Sequence, residues 1–387
     1  MERRLRGVME NNRARNQSVS ETLLYLFSGA YRAVVSLRAW AFEAGLSREY
    51  RLSCPVISVG NLTAGGSGKT PMTLYLAEML KQRGLRPAVI SRGYKGAMEK
   101  TGGGIVSDGH NLLIGPEMAG DEPYMMAAQL RDIPFVVGAD RYRAGRLAIR
   151  HFFPDVIVLD DAFQHRRLFR DINLLLVDAV AGFGSGHLLP RGPLREPISA
   201  VVRADAAILT RCDRGDPEII AAICGRIQKI PVFQSRHRPY VYGCYPAGQE
   251  GNANVETTSD RADLNRLAGA RVLAFAGIAR NSEFKRMITE KAGQVVDFLS
   301  YPDHYAYTNE DLNLIGARAK IANADCIVTT QKDFVRLHKE FHFPLDLVVL
   351  GVTMDFGVDE NAFADWIHRR LGEVRSEKSG AGRHRRE

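Results

Sequence analysis

The stretch that most restricts the fold is SVGNLTAGGSGKTPMT, residues 58–73, where a short apolar run meets a glycine-rich segment, a lysine and a threonine, then helix-forming residues. A phosphate loop reads G-x-x-x-x-G-K-[ST]; Gly68, Lys69 and Thr70 match its end, while Thr63 stands where the first glycine is usual. Gly60, Gly65, Gly66 and Gly68 still give a backbone able to turn its N–H groups onto phosphate oxygens. The candidate ATP-binding residues are therefore Thr63, Ala64, Gly65, Gly66, Ser67, Gly68, Lys69 and Thr70. Lys69 would reach the β and γ phosphates, and the Thr70 hydroxyl would take a place on Mg²⁺. The plain alternative, a glycine-rich turn before a helix, does not explain the strand before, the helix after and the GKT ending together.

Such a loop needs a carboxylate at the end of another core strand to hold the magnesium. VIVLDD, residues 156–161, supplies Asp160 and Asp161, and either could meet the ion or its water. These motifs indicate a nucleoside triphosphate and magnesium; they leave the acceptor open between water, a small molecule and a macromolecule.

The rest of the chain agrees with an α/β fold. Apolar runs at 54–60, 86–93, 133–138, 155–161, 172–178 and 204–210 are continuous rather than alternating, which signifies strands buried on both faces of a parallel sheet covered by helices. A polar stretch at 248–266 suggests a boundary, beyond which runs at 271–278, 294–299, 325–330 and 345–352 and a helix near 360–371 form a second set. The expected architecture is a P-loop NTPase-type, mostly parallel sheet flanked by helices, with a smaller C-terminal α/β domain and an N-terminal amphipathic helix. The expected divisions are a basic arm and helix over 1–50, a phosphate-loop core over 51–245, a smaller domain over 246–372 and a disordered basic tail over 373–387.

The net charge of +8 is concentrated at the ends: five arginines against two glutamates in residues 1–15, and five basic against three acidic groups in 373–387. Basic ends suit an anionic surface or serve as solubilising tails. The five cysteines, Cys54, Cys212, Cys224, Cys244 and Cys326, are scattered and lack C-x-x-C spacing, which argues against a disulfide framework or zinc site and for a reducing cytoplasm. Residues 18–46 begin with a capping box, Ser18 and Glu21, and carry Leu23, Leu26, Phe27, Ala30, Val34, Leu37 and Ala41 at helical spacing, against a stripe of Ser28, Arg32, Ser36 and Glu43. Arg32 and Arg38 interrupt its apolar runs, which fall short of the ~18 residues of a membrane span. No signal-peptide cleavage pattern follows. Periodicity alone favours packing against the protein's own core.

Three further stretches bear on the acceptor. GDEP, residues 120–123, sets Asp121 and Glu122 ahead of a helical run, equally readable as a helix cap; LPRGPLREP, residues 189–197, gathers Arg191, Arg195 and Glu196 in a loop suited to clamping an anion; PDHY, residues 302–305, carries Asp303 and His304. In order, VGNLTAGGSGKTP, SRGY (91–94), GDEP, DDAFQHRRL (160–168), LLPRGPLREP, FAGIARNSEF (275–284) and YPDHY resemble tetraacyldisaccharide 4'-kinase, the lipid A 4'-kinase family of Gram-negative bacteria, from about residue 20 to about 370.

The resemblance implies transfer of the γ-phosphoryl of ATP to the 4'-hydroxyl of an acylated glucosamine disaccharide 1-phosphate, a lipid A precursor, at the cytoplasmic face of the inner membrane. It implies Asp121 as acceptor base, His304 from the smaller domain as its partner, and Lys69 in catalysis. Glu122, Asp161 and Gln164 would support magnesium and nucleotide, with Asp160 beside them, and Arg191, Arg195 and Glu196 would line the cleft. It also turns the helix at 18–46 into a docking element of a peripheral, monotopic protein on the phospholipid surface, because an acylated substrate cannot leave the bilayer cheaply. No nucleic acid and no obligate protein partner are implied. The rival reading is a P-loop ATPase or GTPase acting on a protein, for which TTQKD at 329–333 would be a base-reading loop; a nucleic-acid binder is the other, though no stacking-aromatic motif supports it.

Overall fold

Unbroken apolar runs make unbroken buried strands: Val56–Asn61, Pro87–Ser91, Ile172–Asp178 and Ala206–Thr210 have no exposed position, as expected of strands covered on both faces. In the computed structural model, residues 19–100, 102–248, 264–337 and 342–383 are described. Ser18, and with it the expected capping box, lies outside them, as does most of the polar stretch at 248–266. The chain divides into two units, the first comprising 1–119, 126–237 and 354–387, the second 120–125 and 238–353.

The first unit holds an eight-stranded sheet of order β3-β4-β2-β5-β1-β6-β7-β8. Its strands are β1 Val56–Asn61, β2 Pro87–Ser91, β3 Gly104–Ser107, β4 Phe135–Val137, β5 Val156–Leu159, β6 Ile172–Asp178, β7 Ala206–Thr210 and β8 Val232–Gln234. All pairs are parallel except β3 with β4. The edge strands β3 and β8 are short and have no distinctive apolar run, which is why periodicity passed over them. Strand β1 lies between β5 and β6, so the loop leaving β1 meets the carboxylates leaving β5. Helix Arg141–Phe152 is capped by the Asp140 carboxylate, which accepts from the Tyr142 and Arg143 N–H groups, and its Ala144 and Ala148 pack with Ile157 and Leu159 of β5.

The second unit holds a five-stranded sheet of order β11-β10-β12-β13-β9, with β9 Arg236–Tyr245, β10 Arg271–Ala276, β11 Gln294–Ser300, β12 Cys326–Thr330 and β13 Leu347–Asp355. Alternate β10 residues serve its two faces: Leu273 and Phe275 pack with Tyr307 and Ile315, while Val272 and Ala274 pack with Phe284 and Ile288.

Three expected divisions change. The second unit starts near Arg238 because β9 joins its sheet, so the polar stretch interrupts that unit instead of preceding it. Gly120–Met125 groups with the second unit. The helix near 360–371, expected in the smaller domain, runs Glu360–Arg383 and belongs to the first unit. There Phe363 meets Phe233 edge-on and stacks on Phe356, and Tyr75 donates to Glu360. The expected disordered tail is helical as far as 383: Val374 is buried, and Lys378 donates to the Cys54 carbonyl at 2.7 Å and to Asp171 at 2.9 Å.

The N-terminal helix, Val19–Glu43, reverses the periodicity reading. A mixed face meets the protein: Leu24 and Ser28 are buried, Ser28 donates to the Leu188 carbonyl and half-buried Tyr31 to the Arg195 carbonyl, while Arg32, Ser36 and Glu43 of the polar stripe are exposed. The apolar stripe faces outward, with Leu26, Val34 and Leu37 each more than 60% exposed. Among the described residues no helix is long and apolar enough to cross a membrane.

Candidate active site

The phosphate loop connects β1 to helix Lys69–Gln82, whose N-cap Gly68 has φ +85. A Cβ there would sit 2.4 Å from the His237 ring, so glycine is required twice over, by conformation and by space. The ends of three neighbouring strands hold the loop. From β1, the Asn61 amide donates to the Thr63 carbonyl at 2.8 Å and its oxygen accepts from Lys69 Nζ at 3.3 Å. From β7, the Thr210 hydroxyl donates to the Ser67 carbonyl at 3.1 Å, and Arg211 reaches the Gly66 carbonyl at 3.4 Å. From β6, Asp178 pairs with Arg211, both groups nearly fully buried. Ala64 N–H and Ser67 N–H donate to the Pro193 and Gly65 carbonyls, so an anion would be met by the other N–H groups of the loop. Asn61, Asp178, Thr210 and Arg211 were not singled out from the sequence; the signal was their place at the C-terminal ends of apolar runs, where parallel sheets bind ligands.

The two aspartates after β5 differ. Asp160 is buried and accepts from the hydroxyls of Thr73 at 3.2 Å and Ser91 at 3.1 Å, which gives SRGY a role as its support. Asp161 adopts φ +45, a conformation disfavoured for a residue with a side chain. It accepts from Arg195 at 3.0 Å and lies 3.7 Å from Lys69. Burial pushes its pKa up most strongly, but Lys69 and then Arg195 outweigh it and hold the carboxyl below its ordinary value. The loop 189–197 reaches this point by backbone pairing: Ala64 N–H donates to Pro193 O at 2.6 Å and Arg195 N–H to Leu62 O at 2.7 Å. Gln164 donates to the Asn61 carbonyl at 2.8 Å and to Glu196, which pairs with Arg203. Arg191 is not brought to this cluster; its guanidinium lies over the Tyr25 ring, 5.0 Å from the centroid.

The second unit assembles another cluster around Asp121, the first residue of helix Asp121–Gln129. Arg336 Nε donates to its Oδ2 at 2.8 Å, and His304 Nδ1 lies 3.8 Å away. His304 chiefly, and Arg336 after it, depress the Asp121 pKa against the opposing effect of burial. His304 has φ +61, and its N–H donates to the Gly277 carbonyl within FAGIARNSEF. Asp303 is exposed. Glu122, expected to support magnesium, is paired with Lys332. Lys332, Asp333 and Arg336 were missed as members of this site: TTQKD reads from the sequence as a base-reading loop, whereas here its Lys332 pairs with Glu122 of GDEP, and Arg336, three residues past it, reaches Asp121 and His304.

No His, Cys, Asp or Glu group of three is gathered for a metal among the described residues. The oxygen donors after β5 and at Thr70 suit Mg²⁺, which keeps waters and binds through one or two carboxylates plus substrate phosphates.

The family model for tetraacyldisaccharide-1-P 4'-kinase matches residues 20–372. A tetraacyldisaccharide 4'-kinase of Desulfatibacillum aliphaticivorans is 41% identical, covering 96% of this chain and 98% of its own length. One from Syntrophus aciditrophicus is 41% identical over 88% of this chain and 90% of its own. A crystal structure of LpxK from Aquifex aeolicus in complex with ATP superposes with a TM-score of 0.69 at 31% identity, covering 90% of this chain and 99% of that one. The chain belongs to the tetraacyldisaccharide-1-phosphate 4'-kinase family.

Proposed function

We propose that this chain transfers the γ-phosphoryl group of ATP to the 4'-hydroxyl of a tetraacylated glucosamine disaccharide 1-phosphate, a lipid A precursor. The observation that carries the reading is the presence, in one chain matching the family over residues 20–372, of an anchored phosphate loop and a separate ionised carboxylate, Asp121, held by the Arg336 guanidinium. A P-loop ATPase needs the first; transfer to a sugar hydroxyl also needs a base.

In this reading Lys69 and the loop N–H groups hold the β and γ phosphates. Asp121 takes the proton of the acceptor hydroxyl as its oxygen bonds to the γ phosphorus and the bond to the β–γ bridging oxygen breaks, releasing ADP. Thr70 with Asp160 and Asp161 would hold Mg²⁺, which when bound neutralises phosphate charge. Lys69 and Arg195 hold the Asp161 carboxyl below its ordinary pKa, and Arg195 and Glu196 frame it. Glu122, occupied by Lys332, is left out of the magnesium set.

We further infer that the outward apolar stripe of helix Val19–Glu43 docks in the interface of the inner membrane on its cytoplasmic side. The stripe Leu26, Phe27, Val34, Leu37 and Trp40 is exposed on a helix whose other side meets its protein through Leu24, Ser28 and Tyr31. Arg32 would meet anionic headgroups, contributing about 1 kcal/mol, while Arg38 donates to the Gln164 carbonyl at 3.1 Å.

The test is transfer of labelled γ-phosphate to a tetraacyl disaccharide 1-phosphate in detergent micelles by the wild type, Lys69→Ala and Asp121→Ala. Labelled lipid from the wild type and none from either variant is expected. ATP hydrolysis without lipid labelling would overturn the reading.

A further inference from the structure

We propose that Arg336 is a positioning residue for the acceptor base, fixing the Asp121 carboxylate and selecting the ring tautomer of His304, with buried Asp333 fixing Arg336 in turn. This rests on the assignment of Asp121 as base.

Arg336 spends every nitrogen of its guanidinium on this site. Nε donates to Asp121 Oδ2 at 2.8 Å, Nη1 to the Gly277 carbonyl at 3.1 Å and towards Asp333 Oδ1 at 3.4 Å, and Nη2 lies 3.1 Å from His304 Nδ1. The side chain is 5% exposed and Asp333 is fully buried. A guanidinium is a planar fork of donors with no acceptor, so anchoring one edge sets the direction of the others.

Asp333 is itself immobilised. Its Oδ1 accepts from the Tyr307 hydroxyl and the Gly277 N–H, each at 3.0 Å, and its Oδ2 from the Thr330 hydroxyl at 2.6 Å. Tyr307 is 2% exposed and meets Phe275 and Tyr301 edge-on. The position of Asp121 is thus referred through Arg336 and Asp333 to the core of the second unit.

The contact with His304 has a chemical consequence. Arginine can only donate, so Nδ1 accepts, and the neutral imidazole carries its proton on Nε2 while this contact stands. At 3.8 Å, Nδ1 is beyond hydrogen-bond reach of Asp121. In this arrangement Arg336 supplies the 2.8 Å hydrogen bond to the base, His304 acts on the carboxyl from 3.8 Å, and its neutral ring keeps Nε2–H as donor. Sequence reasoning paired Asp121 with His304 alone; the structure interposes an arginine that serves both.

The test compares wild type, Arg336→Met, Arg336→Lys, Asp121→Asn and the Arg336→Met, Asp121→Asn double variant in the labelled-phosphate assay. Arg336→Met should lower kcat about 100-fold, the scale of an ångström-sized misplacement, with KM for ATP unchanged. Arg336→Lys, which can still donate to Asp121, should recover about tenfold of that loss. In the Asp121→Asn background, Arg336→Met should cost less than about threefold, because its effect passes through the carboxylate. Should Arg336→Met unfold at the assay temperature, adding Asp333→Asn removes the buried unpaired charge, and the same loss in kcat is expected.

A full-rate Arg336→Met variant, losses that multiply in the double variant, or a KM for ATP that rises in step with the fall in kcat would overturn the positioning role while Asp121→Asn stays slow. An Asp121→Asn variant as active as the wild type would instead remove the base assignment itself.

Discussion

Asp161 in the first unit and Asp121 in the second keep similar company. Each accepts from an arginine, at 3.0 Å from Arg195 and 2.8 Å from Arg336, and each has a second basic side chain just beyond, Lys69 at 3.7 Å and His304 at 3.8 Å. Each cluster contains a side-chain-bearing residue at positive φ, Asp161 itself and His304, a form of strain that persists where surrounding structure over-determines it. They differ in how they are built. The Asp161 cluster sits where adjacent parallel strands end, so sheet order alone brings it near the phosphate loop. The Asp121 cluster joins chain segments at 121, 277, 304 and 333–336 through side-chain hydrogen bonds. Similar charge patterns therefore need not mean similar chemistry: in the proposed function one would serve a nucleotide and its metal, the other a hydroxyl.

Matched substitutions test that distinction and carry the largest expected effects. Asp121→Asn should lower kcat by about 10³-fold, within the range for loss of a general base, and leave nucleotide affinity unchanged. Asp161→Asn leaves Lys69 and Arg195 without their carboxylate, and should raise the ATP and magnesium concentrations giving half-maximal rate. Steady-state kinetics with both varied checks the pair. The comparison breaks if both variants lose kcat alone, or if Asp121→Asn also weakens ATP.

The asymmetry of construction explains what could be read from the sequence. The phosphate loop is local, and its glycines, Lys69 and Thr70 announce themselves by spacing. Asp160 and Asp161 follow from a buried strand of one sheet. Arg336 has no such signature: it lies three residues past Asp333, beyond a strand of another sheet, and only tertiary packing delivers it to Asp121. Asp178 and Arg211 were hidden for a related reason, since a buried ion pair between neighbouring strand ends has no periodicity. The N-terminal helix was misjudged by periodicity because an amphipathic pattern states that two faces differ without stating which one meets the protein. The family resemblance supplied that choice, and Ser28 and Tyr31 give its physical basis.

Within the first unit, support for the phosphate loop can be graded. Arg211→Met would strand the buried Asp178 carboxylate and should cost about 3–5 kcal/mol of stability, the range for breaking a buried pair, measured by denaturant unfolding. Gly68→Ala forces a side chain into φ +85 against His237 and should cost about 1–3 kcal/mol, together with ATP affinity. Neither substitution should alter kcat through Asp121, so loss of acceptor-hydroxyl activation in ATP-saturated Gly68→Ala would show the clusters to be less separable than their construction implies.

The smallest effect on folding is expected where exposure is largest. Phe27→Ser, Leu37→Ser and Trp40→Ser together alter side chains at least 56% exposed, so stability should stay within about 0.5 kcal/mol of the wild type for each substitution. Transfer to a substrate dispersed in micelles should be unchanged, because Asp161 and Asp121 keep all their partners. Co-sedimentation with phospholipid vesicles, and transfer to substrate embedded in them, should fall. Equal sedimentation of variant and wild type would show that the apolar stripe serves something other than the bilayer. Loss of micellar activity with unchanged sedimentation would tie the helix to the nucleotide cluster instead, through the Tyr31 bond to the carbonyl of Arg195, the partner of Asp161.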